Sequence, residues 1–222
     1  MIPGMDLVDF ISLVGLIGVA LVVYAESGLL IGFFLPGDSL LLTTGLLTHR
    51  GVINQDIHLV VAILFIAAVL GDNTGYWFGK KAGRRLFRRK DSAIFHKSNL
   101  EKAEDFYEKH GSKTIVLARF VPFARTFAPI IAGISHMKYS TFVIFNIVGA
   151  LLWAVGLTYL GYYAGAWLEE RGVDIDKYLL LIIAFIVFLS ILPPLIHGLK
   201  DKERRQNIKA TIKKTASRKK KK

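Results

Sequence analysis

The run Arg119-Phe120-Val121-Pro122-Phe123-Ala124-Arg125-Thr126-Phe127-Ala128-Pro129-Ile130-Ile131-Ala132-Gly133 sets two arginines and two prolines in a stretch otherwise apolar enough for a membrane. A charged side chain at the bilayer centre costs at least about 2.5–3.5 kcal/mol. Pro122 and Pro129 each remove a backbone donor and are expected to break helix continuity. Broken backbone at membrane depth is tolerated only where protein or a wet cavity surrounds it. The run therefore reads as the lining of a buried polar site. Two guanidiniums with no acid nearby in sequence favour an anionic ligand, phosphate or carboxylate.

The bulk numbers agree with a membrane setting. Of 222 residues, 53% are hydrophobic, and the mean hydropathy is +0.44, too apolar for an ordinary soluble domain. With no cysteine, disulfides, thiolate zinc sites and iron–sulfur clusters are excluded. The start, Met1-Ile2-Pro3-Gly4-Met5-Asp6, has no positive n-region, so the first apolar segment is expected to stay in the mature protein. The net charge of +12 is concentrated at one end. Residues 200–222 read as a solvated basic tail that follows the positive-inside rule; the sharper alternative is added attraction to anionic lipid. No aromatic residues interleave with these lysines, and nucleic acid is not an expected partner.

Working outward from the arginine run, Leu7–Tyr24 is a first apolar segment, just long enough to span. Glu26 and the run to Leu47 follow, interrupted by Leu35-Pro36-Gly37-Asp38; Pro-Gly is a turn signal, and the flanks suit a re-entrant hairpin. Leu59–Phe78 is a full span with Asp72 and Asn73 towards its end. Residues 80–113 form a basic, amphipathic interlude, with Ser98-Asn99-Leu100-Glu101 as a capping box and Gly111 as a helix stop. Phe142–Leu168 and Tyr178–Leu199 are further spans.

The two halves match. Phe34-Leu35-Pro36 resembles Phe120-Val121-Pro122, and each leads to a glycine, Gly45 and Gly133. Gly79-Lys80-Lys81-Ala82-Gly83 matches Gly161-Tyr162-Tyr163-Ala164-Gly165. The positive-inside rule places the interlude and the tail in the cytoplasm, and only a re-entrant second hairpin satisfies that parity. The expected fold is an all-α integral membrane protein with an inverted repeat. Each repeat is a re-entrant hairpin plus a transmembrane helix (about 26–83 and 113–168), around an interlude at about 84–112. Further N- and C-terminal spans, the last at 178–199, complete one domain over 1–199, with a disordered tail at 200–222.

Four charges flank the hairpin arms: Glu26 and Asp38 in the first repeat, Arg119 and Arg125 in the second. They read as one polar site near the midplane, where inverted-repeat transporters bind cargo, or as ion pairs that merely hold the hairpins together. On an unbroken helix the two arginines lie about 240° apart; the break at Pro122 lets both point at one ligand. Arg119 and Arg125 are the candidate substrate-binding residues. Glu26, Asp38 and Asp72 are the candidate proton-coupling groups, Asp72 being equally readable as a cap at a span end. Pro36, Gly37, Pro122 and Pro129 are the expected hairpin breaks. Gly75, Gly79 and Gly83 show small-xxx-small spacing and read as packing. Trp77, Trp153 and Trp167 read as packing or interface anchors. The six histidines are scattered without ligand spacing, so neither a metal nor another cofactor is expected. Ser39 and Ser135 lack a nucleophile context. No phosphate-binding loop appears, and an enzyme is not expected.

These residues resemble the DedA family of the VTT-domain superfamily. The resemblance is carried by Glu26-Ser27-Gly28-Leu29-Leu30 with Phe34-Leu35-Pro36-Gly37-Asp38-Ser39-Leu40-Leu41. It continues in Phe106 to Ile115 with Ala118 to Pro129 and Ala132-Gly133, and extends through Gly149 to Trp153 and Tyr159-Leu160-Gly161-Tyr162. It implies a bacterial inner-membrane protein related to endoplasmic-reticulum lipid scramblases. It also implies recycling of a polyprenyl carrier lipid, undecaprenyl phosphate, with links to envelope integrity and proton-motive-force homeostasis. The family's functional acids and arginines fall on Glu26, Asp38, Arg119 and Arg125. The leading expectation is a transporter of a lipid phosphate, proton-coupled. The alternatives are a proton-coupled small-ion antiporter and a non-transporting assembly factor. Membrane lipids, a phosphate-bearing one among them, are the expected partners, and a homo-oligomer is compatible with all three.

Overall fold

A computed structural model describes residues 7–29, 37–82 and 111–172, and every regular element in them is helical. Pro36, most of the basic interlude, the last expected span at 178–199 and the tail lie outside the described residues.

Helix α1 runs Leu7–Gly28 and kinks at Gly15, whose φ of 61° is a left-handed value that glycine adopts without a Cβ penalty. Helix α2, Gly37–His49, opens with Asp38 in its first turn, where a carboxylate complements the helix dipole. Helix α3, Ile57–Ala82, is capped by Asp56, whose Oδ1 accepts from the His58 N–H at 2.8 Å. After Gly111 at φ 66° comes the short α4, Lys113–Ala118. The chain breaks at 119–121 and resumes as α5, Pro122–Ile134, with Val121 extended and proline at the start. Proline suits that position because its missing N–H has no intrahelical partner there anyway. Helix α6, Tyr139–Ala150, passes through a π-helical turn, Leu151–Val155, into α7, Gly156–Glu170.

One expectation needs correcting. Pro129 lies inside α5, which continues beyond it to Ile134, so the second hairpin breaks once, before Pro122, and not again. A single internal proline removes one hydrogen bond; here the rest of α5 is clamped against α3, which keeps the helix running.

Helices α3 (26 residues) and α6–α7 (Tyr139–Glu170, 32 residues) are long and apolar enough to cross a membrane. Their outer faces carry exposed large apolar residues, among them Leu59, Ile66 and Leu70 on α3 and Ile144, Leu152 and Leu160 on α6–α7. By contrast α2 and α5 have 13 residues each, about 20 Å of helix, short of the roughly 30 Å hydrocarbon core.

The packing is crossed between the halves: α2 lies on α7 and α5 on α3, while α1 packs on α3. Glycines set both crossed contacts. A Cβ on Gly45 would lie 1.9 Å from the Thr158 carbonyl oxygen, and one on Gly161 2.0 Å from that of Leu42. On the other side, a Cβ on Gly133 would lie 2.0 Å from the Tyr76 oxygen and one on Gly79 2.0 Å from that of Ile130. No side chain fits at such distances; close backbone approach through small residues is how helices associate without a hydrophobic driving force. Between the layers sits an apolar cluster of Val19, Val23, Leu40, Leu64, Ala68 and Trp153.

Candidate functional site

The crossed packing carries five charged side chains inward. Glu26, Asp72, Arg119 and Arg125 are buried; Asp38 is the open member, with 38% of its side chain exposed. They come from the end of α1, the first turn of α2, the interior of the unbroken α3, the turn after α4 and the first turn of α5.

They form two sets. In the first, Arg125 is paired with Glu26 and donates through Nη1 to Asp38 Oδ1 at 2.7 Å. The Glu26 carboxylate lies against the backbone of Gly37: a Cβ there would come 1.4 Å from Glu26 Oε2. Gly37 thus makes room for the acid at the start of α2. In the second set Arg119 is paired with Asp72 and donates to Asn146 Oδ1 at 2.6 Å. Asn146 in turn donates to the Val69 carbonyl at 3.1 Å. The stem of Arg119 runs over Gly149, where a Cβ would be 3.3 Å from its Cδ and Nε.

Trp153 joins the sets. Its ring centroid lies 4.7 Å from the Arg125 guanidinium carbon and 5.5 Å from that of Arg119, both within cation–π range. Its Nε1–H donates to Asp38 Oδ1 at 2.6 Å. Trp153 sits in the π-helical turn, a local widening that often marks functional positions.

Among the sequence-derived candidates, the structure therefore brings Glu26, Asp38 and Arg125 into one set and Arg119 and Asp72 into another. Asp72 lies well inside α3 and is 2% exposed, so it is neither a cap nor a snorkelling end residue. Gly37 opens α2 and Pro122 opens α5. Sequence reasoning passed over Asn146 and read Trp153 only as an anchor. The available signal for Asn146 was a lone amide in an apolar span; for Trp153 nothing local distinguished it from Trp77 or Trp167.

The chemistry of the set is unequal in charge: three carboxylates face two guanidiniums. With all five ionised the sum is one negative charge. Both arginines also keep donors unspent: Arg119 Nε and Nη1 and Arg125 Nε have no partner among the described residues. Unmet buried donors are costly.

Comparison with known proteins places the chain. The VTT domain family matches residues 35–163. Protein DedA of Escherichia coli K12 is 44% identical over 182 residues, covering 82% of this chain and 81% of that protein. The chain belongs to the DedA family. An uncharacterized membrane protein of Mycobacterium tuberculosis H37Rv is 41% identical over 190 residues, covering 86% and 81% of the two chains. Inner membrane protein YqjA of Escherichia coli K12 is 34% identical over 160 residues, covering 69% and 70%. No solved structure gives a significant match. Like these DedA-family relatives, the chain is a membrane protein, and an inner-membrane location agrees with the name of YqjA.

Proposed function

We propose that this DedA-family protein is a transporter, not an enzyme, moving a phosphate-bearing lipid of the polyprenyl-phosphate type across the bacterial inner membrane with proton coupling. The observation that carries this reading is the set of unspent guanidinium donors in a buried site, groups that a phosphate oxygen satisfies with charge-assisted bonds. Arg125 is the first contact, because its partner Asp38 is the exposed member of the set. Arg119 is almost fully buried and offers its unspent Nε and Nη1 donors only once the site opens.

The charge excess supplies the coupling. Phosphate must displace carboxylates from the arginines, and a proton on Glu26, Asp38 or Asp72 makes that displacement cheaper. Intramembrane acids are suited to such loading and release. The lipid tail stays in the bilayer. Two inverted repeats with re-entrant hairpins give the site its place. In support, the glycine contacts are equivalent in the two halves: Gly45 on Thr158 matches Gly133 on Tyr76, and Gly161 on Leu42 matches Gly79 on Ile130. Helices α2 and α5, too short to span, are the hairpin arms. The interlude and the C-terminal tail face the cytoplasm in this arrangement.

The test is flipping of undecaprenyl phosphate in liposomes holding the purified protein. Arg125→Ala abolishes flipping while the protein still reconstitutes; full activity in that variant ends the phosphate reading. The single excess negative charge equally favours a second reading, a proton-coupled cation antiporter. Proton flux driven by a cation gradient in liposomes without the lipid phosphate decides for the antiporter.

A further inference from the structure

On the side of α3 away from the ion pairs lies an open groove of about 540 Å³, a volume typical of sites that hold a small ligand. Tyr24 of α1 and Leu70, Thr74, Trp77 and Lys81 of α3 line it. Its polar groups turn back on the helices. Tyr24 Oη bonds Thr74 Oγ1 at 2.8 Å, Thr74 donates to the Leu70 carbonyl at 2.9 Å, and the Asn73 amide donates to that of Val69 at 2.9 Å. The floor is therefore kept together from within and presents mainly carbon. Leu70, Trp77 and Phe78 are each about half exposed on the same outward face.

At one end the character changes. Lys81, in the last turn of α3, has no ion-pair partner among the described residues, and Lys80 sits 4.9 Å from the Trp77 ring centroid. From Leu70 to Lys81 is about 16 Å of helix, an apolar trough ending in a cation with an aromatic rim. Trp and Lys in that order along a span mark the membrane interface.

We propose that this groove binds one molecule of an anionic phospholipid, its acyl chain along Leu70 and Trp77 and its phosphate on Lys81. The occupant follows from charge complementarity: a membrane-facing apolar trough closed by a cation with no ion-pair partner among the described residues fits an anionic head group better than a zwitterionic one. The site is separate from the ion-pair set and does not rest on the transport reading.

The experiment is native mass spectrometry of the purified full chain titrated with dioleoylphosphatidylglycerol or dioleoylphosphatidylcholine. Retention of one phosphatidylglycerol, several-fold above phosphatidylcholine, is expected. Lys81→Gln weakens phosphatidylglycerol retention about fivefold, the scale of one basic residue at an anionic surface, and Leu70→Trp, which fills the trough, abolishes it. Lys138→Gln is the control. That lysine precedes Tyr139, whose ring is 5.4 Å from Trp77, but it does not line the groove, so retention stays at the wild-type level. Equal retention of the two lipids, or an equal loss in Lys81→Gln and Lys138→Gln, overturns the proposal. Because the chain has no cysteine, Phe78→Cys gives a single thiol on the groove; oxidative capture of a covalent dimer there means a second copy occupies the groove and overturns it too.

Discussion

The two arginines differ in how tightly they are sealed. Arg119 and Asp72 are both almost fully buried and share Asn146 as a third member. Arg125 is just as buried, but one of its two acids, Asp38, is well exposed and is also held by Trp153. A sealed pair in a membrane holds elements in register, whereas a pair with one open acid can exchange partners at low cost. On the proposed transport reading, this difference in burial predicts unequal roles for the two sets, although both rest on the same residue types.

The largest expected effect tests the sealed set. Arg119→Ala leaves the Asp72 carboxylate uncompensated, a loss of about 3–5 kcal/mol, read as a lower unfolding midpoint in detergent. Arg119→Leu combined with Asp72→Leu restores most of that stability, since an apolar pair of similar volume replaces a buried ion pair at little cost. For the open set, Arg125→Leu with Glu26→Leu is expected to restore stability without restoring lipid flipping. Equal recovery of flipping by both doubles would erase the distinction.

The next effect concerns pH. On the proposed transport reading, protonation of an acid frees an arginine, and flipping is expected to be faster at pH 6 than at pH 8. Asp38→Asn removes the excess negative charge and should flatten that dependence while leaving flipping measurable; a slope unchanged from wild type would move the coupling to Glu26 or Asp72. Smaller still is Trp153→Phe, which keeps a ring near both guanidiniums but removes the bond to Asp38. A loss of about 0.5–1.5 kcal/mol is expected, with flipping retained or slightly faster, because Asp38 loses the bond from Trp153 and is displaced from Arg125 more easily. The smallest effect is outside both sets. His49 Nε2 lies 2.8 Å from Glu169 Oε2 at an exposed end, and His49→Gln should change stability by less than about 1 kcal/mol and leave flipping intact.

Much of this arrangement was legible in advance because a membrane makes local chemistry conspicuous. Glu26, Asp38, Arg119 and Arg125 are visible because charges in apolar runs are expensive, and the breaks at Gly37 and Pro122 are visible because Pro-Gly and Pro interrupt helices. Other features were less so. Asp72 was ambiguous because its depth depends on where α3 ends, and that helix runs on to Ala82. Pro129 looked like a second break because its local cost is real, but contacts from α3 hold the helix through it. Asn146 and Trp153 belong to the site only because the π-helical turn and the crossed packing turn them inward.

By itself, the sequence determined that the chain is helical, sits in a membrane and keeps charged groups at depth, since apolar composition, helix breakers and the cost of buried charge act over a few residues. Only the tertiary structure decided which acid meets which arginine, that Asp72 is shut in and Asp38 open, and that one tryptophan bridges both sets. Those outcomes depend on contacts between elements tens of residues apart, set by how closely glycines let the helices approach.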